Sequence, residues 1–185
     1  MKKILVVFIS ILILMPEVKS STTSASSYIL MDQNTGRVLL SKDKDSQRLI
    51  ASITKIMTCI LALESGKSED IVIVDDNATS AYGSGIYIEV GEEIKLKDLL
   101  YGLMLKSGND AASMIAAYVS GSVEEFVKLM NNKAKELGMK NTIFYTPSGL
   151  PTPHGNLSSV YDMAILTKYA MQNKEYREIV STKKY

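Results

Sequence analysis

The sequence predicts an α+β fold, and three observations carry that prediction. Past the first segment, two short apolar runs joined by a turn come first, an almost wholly apolar helix follows, and helical patterning dominates after a small β-rich stretch. Strand and helix signals do not alternate regularly, so the pattern is not that of a βαβ parallel sheet.

In chain order, the first segment stands apart from the fold. Lys2 and Lys3 precede an apolar run from Ile4 to Met15, broken only by Ser10, and Val18-Lys19-Ser20 offers small residues at the −3 and −1 cleavage positions. A charged start, a short apolar run and a small-residue exit describe a secretory signal peptide over residues 1–20. The run is shorter than the roughly 20 apolar residues of a membrane span. Residues 21–27 are Ser/Thr-rich and read as a flexible lead-in, leaving 28–185 as one domain. With residues 1–20 go three lysines and one glutamate, which turns the formal charge of +1 into −1. That balance gives no reason to expect nucleic acid as a partner. The single cysteine, Cys59, excludes an intrachain disulfide, and one Cys with one His (His154) cannot build a metal site. No cofactor is expected, and His154 reads as loop surface.

Tyr28–Met31 and Arg37–Leu40 flank Asp32-Gln-Asn-Thr-Gly36, which reads as a β-hairpin. Apolar residues fall on both faces of each run, so cover on both sides is expected. From Ser52 to Glu64 the spacing is helical, and apolar residues occur nearly all round, as in a buried helix closed by Gly66. Residues 71–74, 86–88 and 94–96 are strand candidates. Helical patterning then runs over 99–105 and 110–118, interrupted by Lys106-Ser-Gly-Asn109. Ser122-Val-Glu-Glu125 matches a capping box that opens a helix closed by Gly138. After a loop from Pro147 to Asn156, a last long helix is expected from about Ser159 to Asn173.

Two short motifs carry chemistry. In Ser52-Ile-Thr-Lys55 the two polar side chains are three residues apart, and on a helix such positions are neighbours. Serine needs a base before it attacks, and burial in apolar surroundings lowers a lysine pKa towards that role. A serine at a helix start is also an ordinary N-cap, and the pair alone does not decide between the readings. Ser107-Gly-Asn109 is either a plain interhelical turn or a device presenting a hydroxyl and an amide into a cleft. Gly83-Ser-Gly85 reads as a turn that could border that cleft.

Together, Ala51-Ser-Ile-Thr-Lys-Ile-Met-Thr58 and Asp98 through Ala112 resemble the low-molecular-weight penicillin-binding proteins that act as serine-type D-alanyl-D-alanine carboxypeptidases. Glu136-Leu-Gly-Met-Lys-Asn141, Pro147-Ser-Gly-Leu150 and Tyr161-Asp-Met-Ala164 extend the resemblance. It implies the serine β-lactamase/DD-peptidase-like fold, with Ser52 as nucleophile and Lys55 as base. It further implies Ser107 as a proton shuttle and Asn109 as a substrate-binding amide. The implied partners are peptidoglycan stem peptides ending in D-Ala-D-Ala and, as covalent inhibitors, β-lactams, in an exported protein of the cell envelope.

The family's third motif, Lys-Thr-Gly, occurs nowhere in the 185 residues. The expectation is therefore an incomplete fold, truncated before that motif, with impaired activity and a central helix short of cover. Two alternatives remain. A serine β-lactamase of class A needs a deacylating glutamate, and residues 141–159 contain no acidic residue. A non-catalytic peptidoglycan-binding remnant fits the missing motif.

Overall fold

The structure, a computed structural model, describes residues 23–79, 82–151 and 154–185. The signal peptide expected over 1–20 lies outside them. No helix among the described residues is long and apolar enough to cross a membrane.

The hairpin forms as expected. Strand β1 (Tyr28–Met31) pairs antiparallel with β2 (Val38–Lys42), with Tyr28 opposite Lys42. The turn is fixed by Asp32, whose carboxylate accepts the Thr35 N–H at 2.7 Å and whose carbonyl accepts the Gly36 N–H at 2.8 Å. Gly36 has φ +75°, which glycine adopts without a steric penalty. The expected cover on both faces is absent: Leu30 is 55% exposed and Leu40 47% exposed. The half-buried side chains, Tyr28, Ile29 and Met31, line an apolar cleft of about 680 Å³ with Leu49, Ile53 and Met163.

After the short strand β3 (Arg48–Leu49), a single 3-10 turn (Ala51–Thr54) leads into helix α1 (Lys55–Glu64). Ser52 thus stands in the tight turn before the helix and not on its first α-helical turn. Met57, Cys59, Ile60 and Ala62 are essentially inaccessible to solvent. The expectation that this helix lacks cover does not hold, because α1 packs against the later helices on several sides. Exposed apolar side chains include Leu39 on the hairpin, Leu49 and Ile53 beside it, and Ile73 and Val90 farther along the chain.

Strands β4 (Ile71–Ile73) and β5 (Glu93–Lys95) pair antiparallel, matching two of the three strand candidates in the β-rich stretch. The third, 86–88, is not a strand. The N–H groups of Ile86 and Tyr87 are taken by the Asp110 carboxylate, so no ladder is available to them.

Helix α2 (Leu96–Leu105) and helix α3 (Asn109–Ser120) are separated at Lys106-Ser-Gly108, with Ser107 in the left-handed region at φ 58°. Helix α4 (Val123–Glu136) starts as its capping box predicts: the Ser122 hydroxyl accepts the Glu125 N–H at 3.1 Å. Strand β6 (Leu157–Ser158) pairs with β3, tying the loop after Pro147 back to the segment that precedes Ser52. The expected last long helix is α5 (Val160–Ala170), and a further helix that the sequence reading did not include, α6 (Lys174–Ser181), follows it. Asn173, read as a helix end, caps the next helix by accepting the Tyr176 N–H at 3.0 Å.

Leu99, Leu100 and Leu103 of α2, Ile115 of α3, Phe126 of α4 and Leu166 of α5 complete the core around α1. This distribution predicts that Leu99→Ala costs about 2–5 kcal/mol. Leu40→Ser on the open hairpin face should change stability by no more than about 0.5 kcal/mol. Denaturant unfolding of both variants measures the contrast.

Candidate active site

Three segments far apart in sequence meet at one ammonium group. Lys55 is 2% exposed, and its Nζ has three neighbours at hydrogen-bond distance. It donates to Ser52 Oγ at 3.2 Å, to Asn109 Oδ1 at 2.8 Å and to the Ser148 carbonyl at 2.8 Å. The first contact follows from the three-residue spacing across the 3-10 turn. The second comes from the first residue of α3, and the third from the loop after α4.

The electrostatics of this cluster are unusual in one respect: all three acceptors are neutral. Burial pushes the Lys55 pKa down from 10.5 to about 8, and among the described residues no carboxylate is bonded to Nζ to oppose the shift. Three well-placed acceptors still satisfy the ammonium hydrogens, so the buried cation carries no unpaired donor. When the amine is neutral, the Ser52 contact can run in reverse, with Oγ–H donating to Nζ. Ser52 itself is exposed, so an incoming molecule can reach the hydroxyl.

Asn109 is held on both sides of its amide. While Oδ1 accepts from Lys55, Nδ2 donates to the Tyr82 carbonyl at 2.7 Å, and the backbone N–H donates to the Ser84 carbonyl at 2.8 Å. Gly83 and Gly85, read as a plain turn, press directly on this segment. A Cβ at Gly83 would sit 3.3 Å from Asn109 Nδ2, and one at Gly85 would sit 2.9 Å from Asp110 Oδ2. Ser107 lies in the link between α2 and α3, two residues from Asn109. No hydrogen bond joins its hydroxyl to Ser52 or Lys55 among the described residues. The structure therefore joins Ser52 and Asn109 through Lys55, and shows no hydrogen bond from Ser107 to any of the three among the described residues.

Several supporting residues were not singled out from the sequence. Thr58 donates to the Pro147 carbonyl at 2.6 Å, fixing the loop whose next carbonyl receives Lys55. Asn156 donates from Nδ2 to Thr54 Oγ1 at 2.9 Å and to the Thr146 carbonyl at 2.8 Å. Its Oδ1 accepts the N–H groups of Tyr145 and Thr146. Gly149, at φ +84°, comes so close to the 3-10 turn that a Cβ there would lie 1.9 Å from the Ala51 carbonyl oxygen. The one sequence hint to these contacts was the Pro147-Ser-Gly-Leu150 segment itself. His154 is exposed and leans on the Tyr145 ring at 5.5 Å, away from the Lys55 contacts. Among the described residues no group of three or more His, Cys, Asp or Glu side chains is placed to hold a metal ion.

A family described as Peptidase_S11, D-alanyl-D-alanine carboxypeptidase, matches residues 15–185. The D-alanyl-D-alanine carboxypeptidase DacF of Bacillus subtilis is 45% identical over 163 residues, covering 85% of this chain and 42% of its own. Among solved structures, penicillin-binding protein 6B of Escherichia coli superposes with a TM-score of 0.84 at 34% identity. That match covers 89% of this chain and 56% of the other. A variant of the Streptomyces K15 DD-transpeptidase superposes with a TM-score of 0.84 at 31% identity, covering 90% of this chain and 68% of that one. The chain thus spans less than half the length of the curated relative from Bacillus subtilis.

The contact between Gly149 and Ala51 generates a prediction. Gly149→Ala puts a methyl group into a backbone oxygen and forces alanine to a positive φ, so a loss of about 3 kcal/mol or more is expected. Thermal unfolding monitored by circular dichroism measures it.

Proposed function

The chain belongs to the D-alanyl-D-alanine carboxypeptidase family, and from that premise we propose that Ser52 is the nucleophile of a serine-type carboxypeptidase acting on peptidoglycan stem peptides that end in D-Ala-D-Ala. The observation that carries the proposal is the buried Lys55 amine in contact with the Ser52 hydroxyl, its pKa brought down to about 8 without a bonded carboxylate.

In the first step the neutral Lys55 amine takes the Ser52 proton as Oγ attacks the carbonyl between the two D-alanines. The C–N bond then breaks, and the proton passes to the departing amine, with the Ser107 hydroxyl as the relay. The terminal D-alanine leaves, and the remaining peptide is an ester on Ser52. Water then attacks that ester and regenerates the hydroxyl. The 3-10 turn helps, because backbone N–H groups at the start of a helical segment lack intrahelical partners and can face a developing oxyanion. Asn109 has a role on both sides of the cleft: it orients Lys55 through Oδ1, and its second Nδ2 hydrogen is available to a substrate amide carbonyl. A β-lactam presents a strained amide to the same hydroxyl and forms the same kind of ester. Export through residues 1–20 would bring this chemistry to the cell envelope, where such peptides occur.

The test is labelling of the 185-residue chain by a fluorescent penicillin, with Ser52→Ala as control and circular dichroism to establish folding. Labelled parent and unlabelled Ser52→Ala are expected, with an adduct that clears slowly. A folded parent that never labels would leave the non-catalytic peptidoglycan-binding reading, and rapid turnover of the penicillin would favour a β-lactamase.

The Lys55 pKa sets the pH dependence. The active form is the neutral amine, which at pH 7 is about a tenth of the population for a pKa near 8. The acylation rate should therefore rise about tenfold per pH unit below 8 and level off above it. Rates of penicillin labelling between pH 6 and pH 10 measure this profile, and a flat profile would count against Lys55 as the base.

A further inference from the structure

Asp110 follows directly on Asn109 and is only 7% exposed, yet its carboxylate bonds to no cation among the described residues. It accepts backbone N–H groups instead. Ile86 donates to both oxygens at 3.1 and 3.0 Å, Tyr87 to Oδ2 at 2.7 Å, and Ala111 of the same helix to Oδ1 at 2.8 Å. An acidic residue in the first turn of a helix is favoured by the helix dipole alone, and the Ala111 contact belongs to that ordinary role. The other contacts do not. They reach across 23 and 24 residues to the segment that also bonds Asn109.

That segment is tied down at four successive places. The Tyr82 carbonyl takes Asn109 Nδ2, the Ser84 carbonyl takes the Asn109 N–H, and the Ile86 and Tyr87 N–H groups end on Asp110. Tyr87 is held at φ 61°, a conformation that costs a non-glycine residue about 1–3 kcal/mol unless its surroundings impose it. Gly85 leaves room for the carboxylate at a distance where any Cβ would collide with it. The Tyr82 carbonyl matters to the amide of Asn109 because it accepts only from a donor. It keeps Nδ2 on its own side and leaves Oδ1 facing Lys55.

We infer that Asp110 is a positioning residue for the Ser52–Lys55 pair: it clamps residues 84–87 so that the Tyr82 and Ser84 carbonyls fix the Asn109 amide with Oδ1 on Lys55. This rests on the reading of Ser52 as a nucleophile given above, and it assigns to Asp110 no contact with the reacting atoms.

The experiment compares Asp110→Ala, Asp110→Asn, Asn109→Ala and the double variant Asp110→Ala/Asn109→Ala in two measurements on the full chain. The first is the rate of Ser52 acylation by a fluorescent penicillin; the second is amide hydrogen exchange at Ile86, Tyr87 and Asn109. Displacement of a positioning group costs up to about 10²-fold in rate, so Asp110→Ala should slow acylation by about ten- to a hundredfold. Asp110→Asn, which keeps one acceptor oxygen and the shape, should fall between it and the parent. If Asp110 acts through Asn109, the double variant is no slower than Asn109→Ala; a purely structural role would make the two losses additive. Exchange at Ile86, Tyr87 and the Asn109 N–H should quicken in both Asp110 variants. Acylation at the parent rate in Asp110→Ala, or additive losses, overturns the inference while leaving Ser52 as nucleophile. A parent chain that is not acylated sinks the nucleophile reading instead, and exchange then decides: quickened exchange at Asn109 in Asp110→Asn supports the clamp, and unchanged exchange overturns it.

Discussion

The burial of one lysine is the constraint on which the rest of this structure depends. An ammonium group removed from water must find its hydrogen bonds inside the protein. Lys55 finds them on three pieces of chain, its own 3-10 turn, the start of α3 and the loop after α4. Each piece must be placed independently, and each has its own fastening. Helix α1 is anchored by an apolar surface buried almost all round. The start of α3 is fastened to residues 82–87, and the loop is fastened by Thr58 and Asn156. The supporting hydrogen bonds are thus attached to the amine, and the amine to the hydroxyl beside it.

The choice of neutral partners has a functional logic. A carboxylate against Nζ would favour the cation and hold the proton on the lysine, whereas an amide and a peptide carbonyl satisfy geometry without adding charge. Burial then acts on the pKa with little opposition. Fully satisfied polar networks of this kind also narrow the set of side-chain arrangements open to the core, and no buried side-chain nitrogen or oxygen among the described residues lacks a partner.

What could be read from the sequence followed the range of the interaction. The hairpin, the apolar α1 helix and the capped start of α4 rest on contacts within a few residues, and their patterns are visible in the letters. The Ser52–Lys55 contact is equally local. The misread elements each turn on a partner far away or on a competing local signal. Residues 86–88 alternate as a strand would, but Asp110, 23 and 24 residues on, takes their N–H groups. Helix α6 was not expected, because Asn173, which does mark the end of α5, also serves as the next helix's cap. The contacts of Asn156, Thr58 and Gly149 with the 3-10 turn and the Pro147 loop were not legible, because those partners lie about a hundred residues away in sequence and only the fold brings them together. The hairpin faces were misjudged for a related reason: apolar letters on both sides say what tolerates burial, not what is there to bury it.

Cys59 lies in the middle of α1, fully enclosed, and burial pushes its thiol up to about 12. The thiolate is the reactive form, so at ordinary pH this sulfur is protected both by access and by protonation. Cys59 is thus shielded from maleimides, alkylating agents and mild oxidants while the chain stays folded. A cysteine introduced on an exposed loop would carry a spectroscopic probe without removal of the native one. Reaction of Cys59 itself would report opening of the core, so the same sulfur serves as an internal clock for unfolding.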